Sequence, residues 1–412
     1  MLRPYRVLEM TDQRDSLCGK ILADLRAEVI KIERPEGDSG RHIGPFYQDI
    51  PGQDRSLSWF FYNQGKKSLT LDIENPDGQQ LFKQLLRTSD FLIESFDPGY
   101  LASLGLGYDV ISHLNPRLIM TSITPFGQAG PYRDYKAEDI TLMAMGGFMY
   151  IVGEPDRPPL RISLQQAYLL AGAQAAAATL TAHYYRQKTG EGQHVDVSAQ
   201  HCVFSVLSNI IPLWELSQTN LKRVGSFLSG RGAGGLKQRL LYPCKDGSIS
   251  FTVMGGPLLS RGNRAVVEWM DEEGMADDFI RSWVWEEYDM ARATQEIQNR
   301  LEDYFARFFL THTKAEIYRA GLKREFMVAP VSEPMDIIHN PQLQARGFWV
   351  EMEQPESSAK ITCPGTFYKS SKVVPVEASR PPLIGQHNLE IYEKELSMTR
   401  EEVLALKQAG VI

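Results

Sequence analysis

The fold is decided by residues 5–33, which read YRVLEMTDQRDSLCGKILADLRAEVIKIE. The first six residues form an apolar run typical of a buried strand, and residues 28–33 form a second such run. Between them, residues 17–27 have apolar side chains at positions 17, 21, 22 and 25, which is the spacing of one helix face. A strand, a helix and a strand in this order predict a βαβ unit with parallel strands.

The same alternation continues through the first two hundred residues. Further strands are predicted at SLTLDI (68–73), DFLIESF (90–96) and PRLIMTSIT (116–124). Asn75 and Pro76 supply an N-cap and a first-turn proline for a helix over residues 77–89. These elements predict an α/β fold with a parallel sheet that has helices on both faces. Residues 34–67 interrupt the alternation, and we predict a long functional loop there.

The rest of the chain predicts a long helix and a second domain. Residues 167–187 are rich in alanine and predict a buried helix that approaches its neighbours closely. From about residue 220 to 330 the composition changes, with a strand predicted at 247–254 and a helix at 295–312. The tail contains strand-like pieces, and Thr399-x-x-Glu402 is the capping box of a last helix.

Composition argues against several classes of protein. The formal net charge of −7 disfavours a nucleic-acid binder, which needs a basic face. The four cysteines lack CxxC spacing and the eight histidines form no HExxH pair, so neither a metal site nor a disulfide framework is predicted. No signal-peptide pattern is present, and no window approaches the roughly 18 apolar residues of a membrane span. We therefore expect a cytoplasmic protein that contacts neither nucleic acid nor membrane.

One glycine cluster requires a separate interpretation. Gly230, Gly232 and Gly235 match GxGxxG, but the residues that follow lack a clear amphipathic helix, so a dinucleotide site is not predicted. Glycine instead allows a backbone to move close to a ligand. Gly232, Gly234 and Gly235 are therefore predicted to belong to a substrate pocket.

Seven segments in a fixed order are more specific. They are LADLRAEVIKIERPEGDSGR (22–41), NQGKKSLTLDIENPDGQQL (63–81), FLIESFDPGYLASLGLGYD (91–109), NPRLIMTSITPFGQAGPY (115–132), KTGEGQHVDVSAQ (188–200), NPQLQARGFWVE (340–351) and PPLIGQHN (381–388). Together they resemble the class III CoA-transferase family, which also holds carnitine CoA-transferase, formyl-CoA transferase and α-methylacyl-CoA racemase. The resemblance covers nearly the whole chain.

The resemblance implies a particular architecture. A large Rossmann-like domain is expected over residues 1–215, a smaller α/β domain over 216–330, and a C-terminal segment, 331–412, that returns to the large domain. In this α/β fold two chains form rings that thread through each other. The resemblance thus implies an obligate, interlocked dimer with active sites near the subunit interface.

The resemblance also implies a CoA thioester and an organic acid as substrates, without a metal. Arg41, Lys66 and Lys67 match the cations that lie near the CoA phosphates in the family. The stretch ESFDPG (94–99) matches a turn that lines the adenine side, and its predicted CoA contacts are Glu94, Ser95, Phe96, Pro98 and Gly99. Asp97 stands where many members have arginine, which weakens one expected phosphate contact.

The catalytic position carries an unexpected residue. Family members attack the thioester with an aspartate, which forms a mixed anhydride and then an aspartyl-CoA thioester. That aspartate stands four residues before a glycine, and counting back from Gly172 leads to Tyr168. A phenol, with a pKa of about 10, stays mostly protonated at neutral pH and cannot form an anhydride. Tyr168 is therefore a poor substitute.

Three further residues match positions of interest in the family. Glu138 stands where racemases have a histidine, and Asp139 matches an acid that the family shares. Glu138 is thus an acid–base candidate, although an ordinary carboxylate in a loop or at a helix start explains it somewhat better. Arg14 falls where some transferases place a glutamine, and it either holds a substrate carboxylate or closes the pocket.

These observations leave three hypotheses. The first is a subunit that relies on a homologous, Asp-bearing partner in a heterodimer or heterotetramer. It resembles the two-subunit succinyl-CoA:(R)-benzylsuccinate CoA-transferases of anaerobic toluene breakdown. The second is a CoA-thioester lyase or hydratase, or a racemase-like enzyme, that uses Glu138. The third is a non-catalytic homodimer that binds CoA esters.

Overall fold

The chain divides into two compact units. The computed structural model describes residues 1–12, 15–229, 236–256, 260–353, 360–372 and 379–412. The first unit comprises Met1–Met149, Arg161–Thr219 and Gln342–Ile412, and the second comprises Tyr150–Leu160 and Asn220–Pro341. The borders lie at 219/220 and 341/342, where the sequence predicted 215/216 and 330/331. The sequence did not predict that residues 150–160 belong to the second unit.

The elements follow in chain order. The helices are α1 (Leu17–Asp24), α2 (Leu57–Tyr62), α3 (Pro76–Arg87), α4 (Tyr100–Ser103), α5 (Tyr108–Leu114), α6 (Asp139–Met145), α7 (Phe148–Ile151), α8 (Gln166–Thr189), α9 (Ala199–Ser205), α10 (Ile210–Ser217), α11 (Ser260–Glu272), α12 (Asp278–Arg281), α13 (Gln295–Phe309), α14 (Lys314–Arg324), α15 (Pro334–Ile338), α16 (Pro341–Ala345) and α17 (Arg400–Gln408). The strands are β1 (Arg6–Met10), β2 (Glu28–Glu33), β3 (Lys67–Thr70), β4 (Phe91–Glu94), β5 (Ile119–Thr124), β6 (His194–Ser198), β7 (Phe227–Ser229), β8 (Lys237–Arg239), β9 (Leu241–Cys244), β10 (Gly247–Ser250), β11 (Ala329–Pro330), β12 (Trp349–Glu353) and β13 (Lys360–Pro364).

A six-stranded parallel sheet forms the centre of the first unit. Its strand order is β3-β2-β1-β4-β5-β6. The strands from β1 to β3 are added on one side of β1 and those from β4 to β6 on the other, so the strand order reverses between β1 and β4. On β1, Leu8 lies opposite Ile30 of β2 and Leu92 of β4, and all three side chains are buried. Strands covered on both faces require near-continuous apolar sequence, which is the pattern that predicted them. The predicted α/β fold class is confirmed.

Two local predictions need correction. Helix α1 ends at Asp24, whereas the periodicity predicted residues 17–27. Arg26 adopts a left-handed conformation with φ of 73°, and such a residue terminates a helix, but glycine rather than arginine is the usual signal. The predicted loop over residues 34–67 is also more regular than expected. It contains short 3₁₀ turns at Ser39–His42 and Tyr47–Asp49, followed by α2.

Helix α8 packs closely against α1, as its small side chains predicted. A Cβ atom on Gly172 would lie 2.9 Å from the Cβ of Leu17 and 3.2 Å from the backbone nitrogen of Cys18. Further along α8, the hydroxyls of Thr179 and Thr121 on β5 lie 2.7 Å apart. The first contact places the second turn of α8 beside the start of α1, and the second holds the middle of α8 against β5.

The C-terminal tail covers the edge strand β3. The backbone nitrogen of Gly385 donates to Ser68 Oγ at 2.8 Å, and the Tyr392 hydroxyl donates to the carbonyl of Thr70 at 2.6 Å. Just beyond the strand, the nitrogen of Asp72 donates to the carbonyl of Val411 at 2.8 Å. An exposed edge invites pairing with other chains, and the tail removes that opportunity.

The second unit combines helices with antiparallel strands. Strands β9, β10 and β11 form a three-stranded sheet in the order β11-β10-β9, and β7 pairs with β8. Its core is rich in aromatic rings, including those of Trp269, Trp285, Phe305 and Phe309. The antiparallel hairpin of β12 and β13 belongs to the first unit instead.

Buried charges lie in the parallel sheet of the first unit. The ammonium of Lys66 contacts the carboxylate of Glu9 at 2.6 Å, and burial lowers the pKa of Lys66 to about 8. Glu94, the last residue of β4, is also buried, and burial raises the pKa of its carboxyl to about 7. One oxygen of this carboxyl accepts a hydrogen bond from the nitrogen of Phe96 at 2.7 Å.

Replacing Glu94 by glutamine should flatten the pH dependence of stability. The pKa of Glu94 rises from 4.5 to about 7 on folding, so the folded state binds more protons between these values and stability falls as pH rises. The substituted amide retains an acceptor for the nitrogen of Phe96 but cannot titrate. Between pH 5 and 8, wild type should lose about 2.5 kcal/mol more unfolding free energy than Glu94→Gln in urea titrations. Glu36→Gln, at an exposed position, is the control and should behave as wild type.

Candidate active site

The candidate site lies where the strand order of the sheet reverses. The carboxyl ends of parallel strands meet at one edge, and ligands of such sheets bind at the reversal. A cavity of about 420 Å³, here called the edge cavity, is lined by residues that end or follow β1 to β4. A second cavity of about 430 Å³, the Tyr168 cavity, is lined by the start of α8 and the segment before α6. Both share Ser95, Phe96, Asp97 and Lys136.

Tyr168 lies in the first turn of α8 and forms part of the wall of the Tyr168 cavity. Its side chain is only 3% exposed, and its hydroxyl donates a hydrogen bond to the carbonyl of Ala137 at 2.8 Å. The phenol therefore ties α8 to the segment that precedes α6. The hydroxyl proton of Tyr168 is thus used in a hydrogen bond that stabilises the fold.

The two acids beside Ala137 have different surroundings. Asp139 is buried and accepts a hydrogen bond from the nitrogen of Ala167 at 2.8 Å, so it caps the first turn of α8. Burial raises the pKa of Asp139. Glu138 is exposed, occupies the N-cap position of α6 and lines the Tyr168 cavity. Of the two, Glu138 is the one that faces the cavity.

Sequence reasoning missed a third acid. Asp15 lines the Tyr168 cavity and is 4% exposed. It precedes α1, whose first turn packs against Gly172 one turn beyond Tyr168 on α8. No motif marks Asp15, but its place between β1 and α1 predicts a position at the carboxyl edge of the sheet. A carboxylate therefore lines the same cavity as the tyrosine, from the segment that precedes α1.

The stretch after β4 shapes both cavities. The hydroxyl of Ser95 accepts a hydrogen bond from the nitrogen of Asp12 at 2.9 Å, which ties this stretch to the end of β1. The ring of Phe96 lies 4.7 Å from that of Tyr100, and both rings line the edge cavity. Pro98 is half-buried, and Gly99 begins α4 with a left-handed φ of 88°. Adjacent aromatic rings offer a stacking surface for a flat base.

The charges of the edge cavity are mainly acidic. Its acidic lining residues are Asp12, Glu33, Asp38, Asp72, Glu74 and Asp97, and its basic lining residues are Arg34 and Lys136. Each of these two cations already has an acidic partner. Arg34 lies 2.9 Å from Glu74, and Lys136 pairs with Asp97. A phosphate that binds here must compete with these carboxylates.

The three cations predicted near the CoA phosphates lie apart. Arg41 is fully buried, and two of its nitrogens lie 2.7 and 2.8 Å from the carboxylate of Glu33. Lys66 pairs with Glu9 within the sheet layer. Lys67 is the first residue of β3 and pairs with Glu28 at 2.6 Å, at the amino end of the strands. Within the described residues none of the three cations lines the edge cavity, so their phosphate contact stays a prediction.

Some predictions concern residues without a described position. Arg14, Gly232, Gly234 and Gly235 lie outside the described residues. In the described part of the chain, no three His, Cys, Asp or Glu side chains are grouped to hold a metal ion. The four cysteines are free and buried. Among the described helices, none has both the length and the apolar character needed to cross a membrane.

Comparisons with known proteins are consistent with one another. Residues 2–388 match the model of CoA-transferase family III. The chain is 35% identical over 390 residues to the succinyl-CoA:(R)-benzylsuccinate CoA-transferase subunit BbsE of Thauera aromatica, covering 94% of this chain and 92% of that protein. It is 31% identical over 420 residues to the succinyl-CoA–D-citramalate CoA-transferase of Chloroflexus aurantiacus, covering 100% of this chain and 98% of that protein.

A solved structure extends the match to three dimensions. The crystal structure of a CaiB/BaiF family protein from Brucella suis superposes with a TM-score of 0.80 at 26% identity, covering 95% of this chain and 98% of that one. The likeness spans both compact units. By its sequence and its fold, the chain belongs to CoA-transferase family III.

Proposed function

We propose that this chain is a subunit of a class III CoA-transferase that moves CoA between succinyl-CoA and an organic acid such as (R)-benzylsuccinate. It has no nucleophilic aspartate at the family position and relies on a homologous partner that carries one. The observation that carries the proposal concerns Tyr168, the residue that the family resemblance matches to the nucleophile: its hydroxyl donates a hydrogen bond to the carbonyl of Ala137.

The transfer chemistry explains why the partner is needed. A carboxylate attacks the thioester carbonyl of the donor and expels CoA thiolate, which leaves a mixed anhydride. The thiolate then attacks the enzyme's acyl carbon, releases the donor acid and forms an enzyme-bound CoA thioester. The acceptor acid repeats these two steps in reverse and leaves as its CoA ester. A tyrosyl oxygen can form an ester, but it cannot form the anhydride.

The surface of α10 supports the requirement for a partner. The helix reads IIPLWELS, and not one of its residues, all of them described, is buried. Leu216 is 86% exposed, and Ile211 and Trp214 are also exposed. Apolar surface of this kind marks an interface with another protein. BbsE is itself named as a subunit, which is consistent with this assignment.

The charge of the edge cavity supports a difference in CoA affinity between the two subunits. CoA carries a diphosphate and a further phosphate, and an acidic cavity binds such a group weakly. Asp97 forms an ion pair with Lys136, and Glu74 forms an ion pair with Arg34. We therefore expect the partner's site to hold CoA more tightly than the edge cavity of this chain.

The first test compares two substitutions in the assembled enzyme. Tyr168→Phe keeps the ring and removes the hydroxyl, so transferase kcat should stay within about twofold while stability falls by about 1 kcal/mol. Replacing the partner's nucleophilic aspartate by asparagine should lower kcat by about a thousandfold or more. Native mass spectrometry of the purified complex identifies the partner. A homodimer that transfers CoA at full rate would contradict the proposal.

A second candidate function rests on Asp15. This carboxyl lines the same cavity as Tyr168 and lies at the start of α1, where the helix dipole favours an anion. In this alternative Asp15 accepts the acyl group, and the chain works without a partner's nucleophile. The same two-step exchange applies, with the carboxylate supplied from α1 rather than α8.

Asp15→Asn separates the two candidates. If the chain depends on its partner's aspartate, the complex carrying Asp15→Asn should keep kcat within about tenfold of wild type, because a neighbouring polar group tunes rather than performs the exchange. If Asp15 is the nucleophile, the isolated wild-type chain transfers CoA and Asp15→Asn abolishes that activity. Glu138→Gln, which changes an exposed acid lining the same cavity, is the matched comparison.

A third measurement tests the charge argument. Asp97→Arg removes the partner of Lys136 and adds a cation at the border of both cavities. CoA binding to the isolated chain, measured by calorimetry, should strengthen by about tenfold, and this gain should shrink as salt is added. Asp156→Arg makes the same change of charge at an exposed position and should leave the affinity unchanged. Equal affinities for both variants would overturn the argument.

A further inference from the structure

A third cavity lies in the first unit and shares no described lining residue with the edge cavity or the Tyr168 cavity. It has a volume of about 300 Å³ and is enclosed by α1, the turn after α2, and the hairpin of β12 and β13 with its flanking residues. We call it the hairpin cavity. Neither the transfer chemistry nor the similarity to relatives assigns it a role.

A buried amide forms part of its wall. Gln64 lines the hairpin cavity and is only 7% exposed. Its Nε2 atom has no hydrogen-bond partner among the described residues. A buried donor without a partner costs about 1–3 kcal/mol, so native proteins rarely leave one unsatisfied. A ligand oxygen in the cavity would satisfy it.

Three cations line the same cavity. Arg346 and Lys369 are exposed at its rim, and neither forms an ion pair within the described part of the chain. Lys20, deeper in the wall, is neutralised by Asp24 at 2.5 Å. Among the described lining residues, the charge that remains is positive and belongs to Arg346 and Lys369. This combination of two unpaired cations and a buried amide donor suits a carboxylate.

Three aromatic residues also line the cavity. Phe348, Phe367 and Tyr368 line the cavity, and the rings of Phe367 and Tyr368 lie 5.2 Å apart. The Tyr368 hydroxyl donates to the carbonyl of Asp24 at 3.2 Å, which holds this ring against α1. Aromatic faces pack well against flat apolar bodies. The ligand should therefore combine an anionic head with such a body.

We propose that the hairpin cavity binds a small organic anion, a carboxylate with an aromatic or similarly flat apolar body. One carboxylate oxygen accepts from Gln64 Nε2, and the negative charge faces Arg346 and Lys369. The body lies against Phe348, Phe367 and Tyr368. A volume of about 300 Å³ matches the lower end of small-molecule pockets, which is too small for CoA. This site is independent of the transferase reaction proposed for the chain.

Titration of the purified, assembled protein with 4-fluorophenylacetate, followed by ¹⁹F NMR, tests the proposal. Wild type should show saturable binding. Arg346→Gln combined with Lys369→Gln should weaken it by about tenfold or more, because both charges are lost. Gln64→Leu, which keeps the volume but removes the donor, should weaken it by about fivefold. Arg87→Gln removes an exposed charge on α3 and should bind as wild type.

The neutral amide of the same probe separates charge from shape. 4-Fluorophenylacetamide should bind about tenfold more weakly than the acid. Equal binding of acid and amide would overturn the proposal, as would an unchanged affinity in the double variant, which would place the probe at another cavity. Absence of saturable binding to wild type would also overturn it. The surface double variant retains the core packing, so the result does not depend on Gln64→Leu folding normally.

Discussion

The geometry of the site depends on the close approach of α1 and α8 over a parallel sheet. The sheet gathers the carboxyl ends of its strands at one edge, and the reversal between β1 and β4 leaves room there. Gly172 lets the backbone of α8 reach the first turn of α1, since a Cβ atom would lie 2.9 Å from that of Leu17. This contact brings Tyr168 and Asp15, far apart in sequence, to the same cavity.

At that cavity, Tyr168 has the role of a structural anchor. Its hydroxyl binds the carbonyl of Ala137, and Asp139 caps the same helix turn through Ala167. Two polar contacts thus join the start of α8 to the first residue of α6 and to the segment before it, and neither needs a ligand. A nucleophile must keep its reactive atom available to the substrate. The hydroxyl of Tyr168 is instead engaged within the scaffold, in a chain that keeps the family fold.

Sequence patterns predicted the sheet and the long helix because they depend on local composition. Apolar runs identify strands buried on both faces, and small residues identify a closely packed helix. Individual side chains of the site were harder to predict. Asp15 carries no motif and becomes relevant only through the packing of α1 on α8. Arg41 matched a phosphate-binding position, yet Glu33 and Asp54 neutralise it within the fold. Such pairings depend on tertiary structure and cannot be read from spacing.

The distribution of charge in the first unit connects these observations. Around the edge cavity, the lining cations Arg34 and Lys136 pair with carboxylates, and the buried Arg41 pairs with Glu33 of the cavity wall. Around the hairpin cavity, Lys20 is paired, whereas Arg346 and Lys369 have no such partner in the described residues. At the edge cavity an anion must compete with carboxylates for the cations. At the hairpin cavity it finds cations that have no ion-pair partner among the described residues. The edge cavity, where the fold directs ligands, is thus the less favourable of the two for an anion in this chain.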